Sequence, residues 1–310
     1  MLAPDDFDPE PGRLEQLEPR VWRILAPNPS PMTYRGTNTY LVGTKNLAVI
    51  DPGPQSEAHL EAILSSLRPD QSISHILVTH SHLDHSPLAP ALSQRCGAPI
   101  YAFGDSSSGR SRIMQSLIDL GMRGGGEGID RAFRPDVQLR DGAVLDGGDW
   151  QLEVLHTPGH LGNHLCFALG DACFTADHVM GWASSLVSPP DGDLTDFMAS
   201  CARLMQRQWR IFYPGHGAPI TEPAARLAWL ISHRKTREAE ILAKLQQSPA
   251  RAIDLTRAIY LDTPEALLPA AKRNVFAHLV DLTGRELVHP QGAIDQDAVF
   301  APSMAPDKKR

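Results

Sequence analysis

Residues 80 to 85 read His80-Ser81-His82-Leu83-Asp84-His85, four metal-ligating side chains within six positions, directly after the apolar run Ile76-Leu77-Val78-Thr79. Packing alone does not call for that density, because imidazole and carboxylate groups are costly to bury unless they are hydrogen-bonded, paired or bound to a metal. Three more candidates stand at turn-like sites: His160 in Thr157-Pro158-Gly159-His160, Asp177 in Thr175-Ala176-Asp177, and His216 in Pro214-Gly215-His216-Gly217. The set offers five imidazoles and two carboxylates, enough to hold two divalent ions. Such a pair, about 3.5 to 4 Å apart, lowers the pKa of a shared water from ~15.7 toward about 7 and polarises a carbonyl or phosphoryl group under attack. Nitrogen and oxygen donors without Cys suit zinc (Zn2+) first, and they also accept iron or manganese.

The elements that must position these groups follow from periodicity. Short β-rich runs alternate with turns: Val21 to Leu25, Thr39 to Val42, Leu47 to Ile50, Ile76 to Thr79, Gln151 to Leu155, Leu165 to Leu169 and Ile211 to Tyr213. Between them, Leu60, Ile63, Leu64 and Leu67 recur at i, i+3, i+4 and i+7, one buried face of a helix opened by Ser56. Mixed strands and helices over some 220 residues predict a layered α/β domain. Residues 104 to 130 predict an apolar helix, Ile113 to Ile118, between Ser106-Ser107-Ser108-Gly109 and Gly124-Gly125-Gly126-Glu127-Gly128. A lid over the site, an oligomer contact and a surface insertion are its three readings.

On its HxHxDH motif, with a later His, Asp and His in matching order, the chain resembles the metallo-β-lactamase superfamily over roughly its first 220 residues. The resemblance implies a four-layer αββα sandwich with the metals at one sheet edge. It implies that His80, His82 and His160 bind one ion, that Asp84, His85 and His216 bind the second, and that Asp177 bridges them. A strand-end loop lets the HxH pair converge on one ion while Asp84 and His85 turn toward its neighbour; a helix does not. Asp84 is also expected to be catalytic, beside a metal-bridging hydroxide. Asp51, in Ala48-Val49-Ile50-Asp51-Pro52-Gly53, is expected to support a metal-bound His from behind, fixing its tautomer, with a simple turn cap as its other reading. One large subgroup of true zinc β-lactamases carries Cys where Asp177 stands, so antibiotic hydrolysis is at most a side activity here. His156, His164 and His178 are read as satisfied core groups in preference to proton shuttles.

With 310 residues, 42% hydrophobic and 21% charged, the chain can bury a large core. Its net charge of -7 argues against broad attraction to phosphate backbones. That charge is unevenly spread: -10 over residues 1 to 225, +3 over 226 to 289, and zero over the last 21. The acidic, proline-rich start, Met1 to Pro19, has neither signal- nor transit-peptide character, and no apolar run is long enough for a membrane helix. Cys96, Cys166, Cys173 and Cys201 lack CxxC spacing and read as reduced, so a cytoplasmic location is expected.

From Glu222 the pattern turns to long helices, Pro223 to Gln247, Ala252 to Tyr260 and Pro264 to Leu282, then Gly284 and a strand candidate, Glu286 to His289. This outlines a small winged-helix-like domain. The expected division is a flexible segment 1–20, a catalytic domain 21–221, the helical domain 222–290 and a flexible tail 291–310. His233-Arg234-Lys235-Thr236-Arg237-Glu238, Gly36-Thr37-Asn38-Thr39-Tyr40-Leu41 and the stretch Ala176 to Ser200 resemble the β-lactamase-like protein 2 group, which includes an endoribonuclease for single-stranded RNA. The expected function is a dinuclear metal hydrolase acting on an ester, thioester, lactone or phosphodiester bond. RNA cleavage is one alternative and a non-catalytic nucleic-acid binder with structural metals is another. The expected partner is a small ester-like molecule or single-stranded RNA, with a homodimer left open.

Overall fold

Strands whose neighbouring residues are all apolar must be covered on both faces, and that requirement builds this molecule. The computed structural model describes residues 6–124 and 128–303. The flexibility expected at residues 1–5 and 304–310, and the glycine hinge at 125–127, lie outside the described residues. The first sheet runs in chain order: β1 (Leu14–Glu18), β2 (Val21–Leu25), β3 (Asn38–Val42), β4 (Asn46–Ile50), β5 (Ser72–Leu77), β6 (Ile100–Ala102) and β7 (Val137–Gln138). The second contains β8 (Val144–Asp146), β9 (Gln151–His156), β10 (Leu165–Leu169), β11 (Ala172–Ala176) and β12 (Ile211–Pro214), with β11 and β12 parallel.

Alternation along β4 sorts its side chains into two cores. Leu47 and Val49 pack under α1 (Glu57–Ser65) and α2 (Ala89–Cys96), whereas Ala48 and Ile50 meet the second sheet. On β10, Leu165 and Phe167 face the first sheet while Cys166 and Ala168 pack toward α4 (Leu194–Leu204). The layers are therefore helix, sheet, sheet, helix, as expected. Fully buried residues such as Ile50 and Leu77 each stabilise this arrangement by roughly 1.5 to 3 kcal/mol. Ser56 caps α1 by accepting from the His59 amide, and Asp193 caps α4 by accepting from that of Thr195.

The C-terminal module comprises α5 (Pro223–Leu245), α6 (Ala252–Ile259), α7 (Leu268–Gly284) and a small sheet in the order β13 (Ala250–Arg251), β15 (Val299–Pro302), β14 (Val288–Pro290). Here the expected division needs correcting. Residues 14–18, placed in a flexible segment, form an edge strand on β2, with Glu15 paired to Arg23 and Glu18 to Arg210. Residues 299–302, placed in a flexible tail, are the central strand of the small sheet, and Phe300 is fully buried. Nor is residue 222 a clean boundary, since Leu227 and Leu230 of α5 belong to the α4 core while its Ile241 and Leu245 belong to the module's.

The helix expected within 104–130 is α3 (Arg112–Asp119), and its Met114 and Leu117 are buried in the module's core. This helix ties the two units together, and the lid reading is set aside. All four cysteines are free. Among the described residues no helix is long and apolar enough to cross a membrane.

One surface-side carboxylate gives the fold a pH signature. Burial, with the Asp193 carboxylate near it, pushes Asp196 in the first turn of α4 up to about 6. An unfolded Asp titrates near ~3.9. Ionisation thus costs more in the folded chain, and this group's contribution to stability falls as the pH rises from about 4 to about 6. Asp196→Asn should raise the melting temperature above pH 6 and leave it unchanged below pH 4, read by thermal denaturation across that range.

Candidate metal centre

Every candidate ligand leaves the end of a strand. The His80–His85 loop follows β5, Asp51 follows β4, His160 follows β9, Asp177 follows β11 and His216 follows β12. The two sheets deliver them to one place. His80, His82, His160 and Asp177 form one cluster and Asp84, His85, Asp177 and His216 a second, the ligand atoms of each lying within 4.8 Å of one another. Asp177 is common to both. In the first cluster His82 Nδ1 lies 3.0 Å from His80 Nε2 and 3.1 Å from His160 Nε2. In the second, His216 Nε2 lies 3.1 Å from an Asp84 oxygen and 3.4 Å from Asp177 Oδ1, and His85 Nε2 lies 3.5 Å from that same Asp177 atom.

The outward nitrogens decide which atoms face inward. His160 Nδ1 sits 2.6 Å from the Leu186 carbonyl and His216 Nδ1 3.0 Å from that of Gly36; a carbonyl only accepts, so both Nδ1 atoms carry the proton. His85 Nδ1 donates to Asp51 Oδ2 over 2.9 Å. The Thr79 hydroxyl donates to the same carboxylate oxygen over 2.7 Å, which leaves Thr79 Oγ1 to accept from His80 Nδ1 at 3.0 Å. Asp51 therefore orients one ligand of each cluster, His85 directly and His80 through Thr79, and it also accepts the Thr79 amide. Four histidines therefore turn Nε2 toward the centre, where the neutral ring presents a lone pair, and His82 presents Nδ1.

Charge sets the rest. Burial drives His82 down to about 3, and the His160 ring adds to the effect. Burial also opposes protonation of His216, but the Asp177 and Asp84 carboxylates outweigh it and push that ring up to about 10. For Asp177, burial favours the neutral acid, yet His216 and His85 hold it well below the usual carboxylate range. The two carboxylates call for positive charge, which burial withholds from His80 and His82 and which falls to His85 and His216. A divalent cation in each cluster would meet that demand in place of the protons. The donor set fits such ions on a second count, because His85 Nε2 and Asp177 Oδ1 are buried with no hydrogen-bond partner, an arrangement that is costly unless something else is coordinated there.

The backbone permits this crowding at Gly215, where a Cβ would lie 2.4 Å from Asp177 Oδ1 and 2.9 Å from His85 Cε1. Asp51 itself takes a φ of 50°, a left-handed conformation that a non-glycine residue adopts only under local constraint. Several positioning groups carry no role in the sequence reading. Asn38 donates to the carbonyls of Pro214 and Gly217 at 3.0 and 2.9 Å, and the Tyr40 hydroxyl to that of Pro214, so the Gly36 to Leu41 motif clamps the loop that carries His216. That motif was the available signal. His156, His164 and His178 are bonded within the fold, to the Gly162 carbonyl, Thr157 and Cys201 respectively.

The chain is similar to known proteins in both of its units. Residues 32–216 match the metallo-beta-lactamase superfamily, and residues 252–296 match the beta-lactamase associated winged helix domain. A beta-lactamase-like protein 2 homolog of Drosophila melanogaster is 30% identical, over 94% of this chain and 97% of that protein. An atrochrysone carboxyl ACP thioesterase of Claviceps purpurea is 34% identical, over 81% of this chain and 76% of that one. Among solved structures, a metallo-beta-lactamase family protein from Thermus thermophilus superposes with a TM-score of 0.73 at 24% identity, covering 93% of this chain and 100% of the other. A beta-lactamase domain protein from Burkholderia ambifaria gives 0.78 at 20% identity, covering 96% and 95%. These two likenesses concern the fold.

Proposed function

Since this chain belongs to the metallo-beta-lactamase superfamily, we propose that it is a dinuclear metal-dependent hydrolase of acyl ester-like bonds, thioesters foremost. The observation that carries the reading is the shared Asp177 between two converging donor clusters. His80, His82 and His160 would hold one ion, Asp84, His85 and His216 the other, and Asp177 would serve both. Bound there, a pair of ions supplies water of lowered pKa and polarises the attacked carbonyl. Asp84 is the most exposed of the seven groups, with 25% of its side chain accessible, and in this reading its other oxygen would take the proton that attacking water gives up.

Thioester substrates are favoured by the named activity of the Claviceps relative. Three basic groups of the C-terminal module are taken up within the protein. Arg226 bonds to the Met180 and Ala183 carbonyls, Arg234 is buried against Ser185, and Arg237 lies over Tyr260 and pairs with Glu240. Those three cations are engaged within the protein and are not offered to a phosphate backbone. RNA cleavage stays as the second reading, on the strength of the winged-helix match.

Protein of measured metal content, offered a glutathione thioester and labelled single-stranded RNA side by side, tests the reading. Thioester turnover that disappears in both Asp84→Ala and His216→Ala supports it; turnover of RNA alone transfers the substrate to the second reading; activity in metal-free protein overturns the mechanism. A further expected outcome concerns Asp51→Asn. The amide keeps the shape but must turn an N–H toward Thr79 or His85, both of which donate to Asp51. Because Asp51 orients a ligand in each cluster, affinity for both ions should fall by about 10- to 100-fold, measured by competition with a chelator.

A further inference from the structure

The loop between β11 and α4 passes between the candidate metal centre and the C-terminal module, and it is held from the module's side. The Leu186 carbonyl fixes the His160 tautomer at 2.6 Å. On either side of Leu186, the Ser185 carbonyl accepts from Arg234 Nη2 on α5, and the Val187 amide donates to Asn274 Oδ1 on α7 over 3.0 Å. Arg234 Nη1 also donates to Asn274 Oδ1, at 2.9 Å, joining the two side chains into one bracket. The Ser185 hydroxyl in turn donates to the backbone carbonyls of Asp177 and His178. Arg234 is 2% exposed, and its guanidinium lies over the Phe197 ring of α4 at 5.2 Å, so the bracket has little freedom to move.

We infer that Arg234 and Asn274 are positioning residues for the metal centre, holding the 185–187 segment so that the Leu186 carbonyl keeps His160 with its Nδ1 protonated and its Nε2 turned inward. The winged-helix module is then a working part of the hydrolase site, whatever else its surface binds. This gives the His233 to Glu238 motif a physical reason: its Arg234 supplies a buried, two-pronged donor that Lys cannot reproduce. The inference rests on the ligand role proposed for His160, and its test separates the two.

The test uses the full chain with Asn274→Ala, Asn274→Asp and Arg234→Lys. Asn274 lies within α7 and is only partly buried, and Ala is well tolerated inside a helix. Asp keeps the oxygen that accepts from both Val187 and Arg234. In metal-free protein, nitrogen-15 imidazole spectra, assigned with His160→Gln, should show His160 as the Nδ1-protonated form in the wild type and in Asn274→Asp, and as a mixture of tautomers in Asn274→Ala. With zinc, Asn274→Ala should weaken the ion held by His80, His82 and His160 by about 10- to 100-fold and leave the other within about twofold. Arg234→Lys should fall between wild type and Asn274→Ala. A His160 spectrum that Asn274→Ala does not change overturns the inference, as does equal weakening of both ions in step with the melting temperature. Zinc bound elsewhere in the wild type overturns the ligand assignment alone, and the metal-free spectra still decide whether the bracket positions His160.

Discussion

Replacing Asp177 by Ala should abolish binding of the ion pair and lower turnover by more than about 1,000-fold, a barrier increase of roughly 4 kcal/mol, while the protein stays folded. The reason is geometric. Asp177 is the one side chain present in both donor clusters, with Oδ1 3.5 Å from His85 and 3.4 Å from His216, and Oδ2 3.7 Å from His160. No other carboxylate among the described residues spans them. Asp84 and Asp51 remain beside His216 and His85, so its removal strands neither ring without a carboxylate. The measurement is zinc content after dialysis together with a melting curve: the expected result is a large loss of zinc with a cooperative transition retained. Two equivalents of zinc retained by Asp177→Ala would refute the shared role.

Gly215→Ala should cost about 100-fold in turnover through one added methyl group, since displacement of a reacting group by about 1 Å has an effect of that size. The new Cβ would meet Asp177 Oδ1 at 2.4 Å and His85 Cε1 at 2.9 Å, and the Ala176 carbonyl carbon at 3.3 Å. His85 is itself anchored by Asp51, so it cannot move aside without losing that bond. Gly217 makes a useful comparison. There the added methyl would meet the Trp182 ring at 2.8 Å, and the φ of 87° disfavours any side chain, so strain is expected without direct contact with a ligand. Paired measurements of zinc affinity and melting temperature distinguish the two. Gly215→Ala should lose affinity beyond its loss of stability, and Gly217→Ala should lose mainly stability.

The chemistry of the centre was legible in the sequence because metal ligation needs particular side chains, and His80 to His85 concentrates four of them in a loop that follows an apolar strand. The strands that carry the ligands were legible for a related reason: β4, β10 and β12 are apolar on successive residues, since both faces are covered. What escaped the reading depends on main-chain bonding. The carbonyls of Leu186 and Gly36 set two histidine tautomers, and a carbonyl leaves no mark in a sequence. Edge strand β1 is mostly exposed, with Glu15 and Glu18 on it, and β15 is four residues long and paired on both sides by distant segments, so neither has a periodicity to read. The apolar stripe of α3 was visible, but a stripe does not name the surface it packs on; that surface is the core of the C-terminal module.

The two units of the molecule are interlocked. Helix α5 contributes to two cores, α3 crosses to the module, and the Arg234 and Asn274 bracket reaches back to the loop beside His160. Truncation near residue 222 therefore removes support from the candidate centre as well as a domain.

In the proposed hydrolase seven side chains hold two ions, with Asp177 common to both. Anomalous scattering at the zinc edge from crystals of the zinc-loaded protein tests it most directly. Two peaks about 3.5 to 4 Å apart, one against His80, His82 and His160 and the other against Asp84, His85 and His216, with Asp177 touching both, is the predicted result. A single peak, or zinc bound away from these residues, would contradict it.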